Sequence, residues 1–278
     1  GGGGGANGGV EIDNSAPYID NSEFVYNQNR GIYASNPSDI KITNNVIRNT
    51  DGGGIKIYQG GATIAGNTVK DNVEDYFPSP GGAAGIELSG VNRESLVSGN
   101  TVTGNTGAGG DIGVGGIGVL SNSAKVTVGN NYISGNSGSS GYGGYAGGIK
   151  IKWNSAEVVV DGNTIINDSP IDVGEHGYSS GAYATITNNY IKGEQVYLWL
   201  NWGSSKETLI SGNTFDGSSI NVGGGSGVLK IENNKIVSSA NDAINVSGNV
   251  QTGSKISGNT IAYNSGNGIK LTSGSGVV

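Results

Sequence analysis

The chain has 278 residues, of which 54 are Gly, 34 Asn and 5 Pro, with no Cys or Met and a single His, His176. That excludes a disulfide scaffold, a thiolate zinc site and a cysteine nucleophile, and it leaves little for transition-metal chemistry, so no cofactor and no metal is expected. A formal net charge of −7 with 15 scattered Lys and Arg argues against nucleic acid or an anionic membrane as partner, and no apolar run approaches the ~18 residues of a membrane span.

In chain order, residues 1–9 form a Gly-rich segment that is set apart from fold reasoning. Residue 1 is not Met, so the chain is read as processed or as a fragment, and any secretion signal as already removed. From residue 10 to residue 278 the sequence predicts a single domain. Its apolar residues are mostly Ile and Val, the composition of strands. Gly, Asn and Ser punctuate them as turns.

One phrase recurs: apolar, any residue, Asn or a small residue, Asn, any residue, apolar. It first appears over Ile19–Phe24, where Ser22 takes the Asn place. It then runs through Ile42–Ile47, Ile64–Val69, Val97–Val102, Val128–Ile133, Val160–Ile165, Ile186–Ile191, Ile210–Phe215, Ile231–Ile236 and Ile256–Ile261. The repeated Asn stands at Asn45, Asn67, Asn100, Asn131, Asn163, Asn189, Asn213, Asn234 and Asn259, at intervals of 21 to 33 residues. A second phrase follows most copies, usually after Gly, as in Ile55-Lys-Ile57, Ile86-Glu-Leu88, Ile149-Lys-Ile151 and Ile269-Lys-Leu271. Each unit therefore holds three short strands with two-residue alternation, and no amphipathic helix fits between them.

Repeats of this kind predict an all-β solenoid: a parallel β-helix of about ten coils, three strands per coil. Coils stacked at ~4.8 Å would give a rod of about 48 Å. The Asn column is expected to be structural. An inward-turned amide offers two donors and two lone pairs, and stacked amides satisfy one another. Two glycosylation sequons, Asn167-Asp-Ser169 and Asn245-Val-Ser247, are short-motif matches only.

The stretch Ile256–Leu271, with its Ile-Ser-Gly-Asn-Thr-Ile and following Asn-Ser-Gly-Asn-Gly-Ile-Lys-Leu, resembles the right-handed parallel β-helix repeat of the pectate-lyase-like superfamily. Pectate lyases, polygalacturonases, alginate lyases, mannuronan epimerases, phage tailspikes and surface adhesins share that repeat. The resemblance spans about residues 10–278 and is specific for fold rather than activity. It implies three sheets, with the Asn turn between the second and third. It also implies that the first sheet, built by the second phrase, faces glycan.

On that sheet the outward column reads Glu11, Tyr33, Lys56, Glu87, Gly118, Lys150, Asp172, Tyr197, Asn221, Asn245 and Lys270. Lys56 faces Glu87, and Lys150 faces Asp172, one coil apart. Such pairs could bind uronates or abstract a sugar proton. Equally, they could be ion pairs on an exposed sheet, each worth under ~1 kcal/mol. Three connections into the first sheet are long: Val69 to Ile86, Val102 to Ile117 and Ile133 to Ile149. They carry Asp75–Pro80, Gly107–Gly116 and Gly138–Gly148 with Tyr142 and Tyr145, and are expected to stack into one wall of a groove.

Turns after the sheet carry Glu175 and His176, and Trp199 and Trp202 near Tyr197; aromatic faces suit sugar rings. Lys56, Glu87, Lys150, Asp172, Glu175, His176, Tyr197, Trp199 and Trp202 are the glycan-binding candidates. Lys150, Asp172 and His176 are the catalytic candidates if the chain is an enzyme. Glu175-His-Gly177 resembles the Gly-His-Gly segment of polygalacturonases, but its first Gly is Glu here and the paired aspartates are absent, so that activity is not carried over. The three arginines, Arg30, Arg48 and Arg93, all lie outside the first-sheet column.

Coils that read as open at both ends, from Gly9-Val-Glu-Ile12 to Ser275-Gly-Val-Val278, fit a fragment of a longer protein, caps outside this reading, or head-to-tail self-association, the partner expected here. The favoured expectation is a secreted or cell-surface structural protein, a filament subunit or adhesin-like segment with glycan contact. The alternatives are a polysaccharide lyase, hydrolase or epimerase, and a non-catalytic carbohydrate-binding module on the first-sheet groove.

Overall fold

Ile and Val at alternate positions give each short strand one apolar edge, and three such edges per turn close around a common core. A computed structural model describes residues 9–74, 82–107, 113–138, 146–166, 170–174, 182–193, 195–200, 206–224 and 227–272. Three parallel sheets run the length of the chain, the first with eleven strands and the second and third with ten each. Coil 2 is typical: Ile32–Ser35 in the first sheet, Ile40–Thr43 in the second and Val46–Arg48 in the third. No helix occurs among the described residues.

Register is strict. Ile32, Ile55, Ile86, Ile117, Ile149 and Ile171 stack as one inward row. A continuous core extends from Ile12 to Val250, nearly all of it fully buried. The outward column read from the sequence is the observed one, from Glu11 beside Tyr33 through to Asn245 beside Lys270. A two-residue period leaves no other assignment once the inward Ile row is fixed.

The Asn turn joins the second and third sheets. Asn67 Oδ1 accepts from Asn45 N–H at 2.9 Å and Asn45 Nδ2 at 3.1 Å. Asn67 Nδ2 donates to Asn100 Oδ1 and to the Ile42 carbonyl, both at 2.9 Å. Both donors and both lone pairs are thereby used, and the pattern repeats coil by coil to Asn259. Ser22 fills the first position through its backbone, donating N–H to Asn45 Oδ1 at 2.9 Å.

The residue before each ladder Asn has a left-handed backbone, which explains why it is Asn or Gly. In three coils the coil below favours Gly. A Cβ on Gly66, Gly162 or Gly212 would come within 2.7–2.8 Å of Oδ1 of Asn44, Asn130 or Asn188. At these three positions the Asn of one coil leaves room only for Gly in the next. A second, shorter ladder lies between the third and first sheets. Asn72 donates to Asn105 Oδ1 at 2.9 Å, and Asn105 to Asn136 Oδ1 at 2.8 Å.

Candidate functional site

The long connections do more than flank the first sheet. Val73–Glu74 pairs with Thr106–Gly107, and Thr106 bridges to Ser137, so they stack in parallel as they leave. On their return Ala83, Val114 and Ala146 bridge one another. With Leu120 these three form a small second core on the outer side of the sheet. At Gly118 a Cβ would sit 3.2 Å from the Ala83 Cβ, so the return crosses directly over the strand.

This corrects the expectation of an exposed sheet carrying open ion pairs. The pairing itself holds: Lys56 Nζ lies 2.8 Å from Glu87 Oε1, and Lys150 Nζ 2.8 Å from Asp172 Oδ2. But Glu87 and Lys150 are 1% exposed and Asp172 2%. Lys152, also outward on its strand, is fully buried, with Nζ 3.9 Å from the Trp153 ring centroid. Charges meant for solvent in a bare sheet are enclosed here because the inserted segments return across it.

Two members of the enclosed cluster have no signal in the column. Arg30 precedes the coil 2 strand, yet its guanidinium reaches Glu74 at 3.0 Å and Glu87 at 3.6 Å. Glu74 opens the first long connection. Its Oε2 is buried without a hydrogen-bond partner. Burial pushes the Glu74 carboxyl up to about 7; Arg30 and Lys56 pull it the other way, and Glu87 adds to the rise. Space is closed by backbone: Ala83 N–H donates to Glu87 at 3.3 Å, and a Cβ on Gly53 would be 2.9 Å from Glu74 Oε2. Arg30, Lys56, Glu74 and Glu87 balance in charge when both acids are ionised.

Beyond coil 7 the face changes character. Tyr197, Asn221, Asn245 and Lys270 follow one another in register. Asn221 Nδ2 donates to Gln195 Oε1, and Asn245 Nδ2 to Asn221 Oδ1, both at 3.1 Å. These amides floor a hollow of about 350 Å³, walled by Asp242, Ser265 and Gly266 on the corner that leads into the sheet. Its volume falls in the small-ligand range of about 300–1,000 Å³. Asn267 holds Asp242 by N–H at 2.7 Å and by Nδ2 at 2.8 Å, which keeps its carboxyl below the usual range. Trp199 lies past the strand end, its ring against Gly223 and Gly224 of the next coil. Neither it nor Tyr197 lines the hollow, though Tyr197 stands beside Asn221.

The structure thus brings Lys56 with Glu87, and Lys150 with Asp172, in separate enclosed pairs. Tyr197 stands beside Asn221 of the open hollow, and Trp199 packs on Gly223 and Gly224 outside it. Glu175, His176, Trp202, Asp75–Pro80, Tyr142, Tyr145 and the Asn167 sequon lie outside the described residues. Among the described residues no three His, Cys, Asp or Glu side chains group as metal ligands. No helix there is long and apolar enough to cross a membrane.

Parallel coils, three sheets and an internal amide ladder define a parallel β-helix solenoid. The right-handed beta helix region family matches residues 3–102 and 79–215, and the chain belongs to that family. No curated protein and no solved structure matches it.

Proposed function

We propose that this protein is a structural β-helix of the cell surface or the extracellular medium that holds carbohydrate on the open part of its first sheet. The observation that carries the reading is the Gln195–Asn221–Asn245 amide ladder flooring a solvent-open hollow. Amides offer donor and acceptor together, as sugar hydroxyls require. Tyr197 beside the ladder adds an aromatic face. A chain without Cys or Met also suits an oxidising exterior. Retention on a panel of immobilised polysaccharides tests this, with Tyr197→Ala expected to elute earlier. Passage through every matrix unretained would remove the reading.

A second reading, head-to-tail association, has its own support. Ile269 and Leu271 of the last strand are 47% and 49% exposed. Continuing the register onto the first coil of another copy sets Lys270 opposite Glu11, Ile256 opposite Ile19 and Ile261 opposite Phe24. Sedimentation across a concentration series is expected to show growth that Lys270→Glu suppresses. A constant monomer mass at the highest concentration would defeat it.

A further inference from the structure

We infer that the hollow over Asn221 and Asn245 selects a neutral, hydroxyl-rich sugar chain over a uronate or sulfated one; this rests on the carbohydrate reading above. Among the described residues, Asp242 is the sole charged residue in its lining, and no cation lines it. Lys270, next in the column after Asn245, has its Nζ 3.4 Å from Asp242 Oδ2. The two charges are therefore matched to each other. An incoming carboxylate would meet the Asp242 charge and would have to compete for Lys270. Uncompensated like charge disfavours such a ligand.

The amides present the opposite case. In the ladder each Asn uses one Nδ2 hydrogen on its neighbour, which leaves the second for a ligand. Asn245 Oδ1 is buried at the floor and has no hydrogen-bond partner. Gln195 Oε1 and Asn221 Oδ1 each accept one ladder hydrogen bond and keep a second lone pair, which a hydroxyl can fill and a carboxylate cannot. Ser219 and Ser265 add hydroxyls around them. The array offers hydroxyls donors and acceptors together, while the adjacent cation, Lys270, is already matched to Asp242.

Affinity electrophoresis of the whole chain tests this, with neutral β-glucan or galactomannan in one set of gels and polygalacturonate or alginate in another. At one ionic strength, the neutral polymers are expected to retard the protein and the uronates to leave it unretarded. Asn221→Ala removes the centre of the ladder from an outward position, and is expected to weaken retention about tenfold, the equivalent of one or two neutral hydrogen bonds. An unchanged circular dichroism spectrum shows that this variant still folds. Stronger retardation by uronates would overturn this inference and leave the carbohydrate reading standing. Retardation by neither class would overturn both. Neutral retardation untouched by Asn221→Ala would overturn the assignment to this hollow.

Discussion

Replacing Glu74 with Gln tests whether the enclosed charges cost the fold stability at neutral pH. Burial is the largest influence on the Glu74 carboxyl. It outweighs the 3.0 Å contact with Arg30 and sets the pKa at about 7, against an ordinary 4.5. Folded chain then holds the proton more tightly than unfolded chain. The resulting stability is full below pH 4.5 and is lost as pH rises through about 7. At ~1.4 kcal/mol per unit, wild type should lose about 2–3 kcal/mol between about pH 5 and pH 8 from this group. Asp20 and Asp242 are shifted the other way, so their contributions fade only in acid, below this window. Guanidinium unfolding of wild type and Glu74→Gln across that range is the assay. Gln keeps an oxygen for Arg30 and cannot ionise, so the difference between the two proteins should close in acid and widen in base. Parallel curves for the two would refute the reasoning.

Asn100→Ala removes the acceptor used by Asn67 N–H and Nδ2, both buried. At about 1–3 kcal/mol per orphaned donor it should cost about 3–5 kcal/mol by chemical denaturation. Gly162→Ala places a Cβ 2.7 Å from Asn130 Oδ1 on a φ of 66°. Gly135→Ala, at φ 61° with nothing within 4 Å, bears the backbone cost alone. A double-mutant cycle with Asn130→Gly should therefore recover about 1 kcal/mol at Gly162 and nothing at Gly135. Lys150→Met removes the 2.8 Å ion-pair partner of a buried Asp172 and should cost about 3–5 kcal/mol, part of it regained in Lys150→Met/Asp172→Leu, as unfolding midpoints would show.

The coil, the three sheets, the Asn ladder and the outward column were all legible because each rests on a short local period. An Asn flanked by apolar residues at fixed offsets can be found without knowing where the coil goes next. The second ladder was missed although Asn72, Asn105 and Asn136 each follow a first-ladder Asn by five residues. The five-residue step was its signal, but the residue before it varies between Asp71, Gly104 and Gly135, so no fixed phrase marks it. Burial of Lys150 and Glu87 was illegible for a different reason. It depends on segments that depart from the rod and return across it, a non-local event with no period. Arg30 joined the cluster through the reach of its side chain, which a column of Cα positions does not contain.

Long connections close the part of the face beneath them and the coil that pairs with it, as Asp172 pairs with Lys150. Between the third and first sheets the chain takes 17 residues from Val69 to Ile86 but only five from Phe215 to Ile220. Five residues here, and eight from Ile236 to Ile244, turn the corner without folding back over the sheet, so Asn221 and Asn245 stay half-exposed. Longer returns bring Ala83, Val114 and Ala146 over the sheet and take Glu87 and Lys150 out of water. Residue type follows from that division. Under the cover each charge has to be matched, as Lys150 is by Asp172, because an unpaired buried ion costs several kcal/mol, on the order of 3–5. In the open coils water relaxes that demand, and the column changes to amides that pair with one another and keep donors to spare. One solenoid therefore presents two chemically distinct surfaces along a single sheet. The boundary falls between Asp172 and Tyr197, one coil past the last long connection into the sheet.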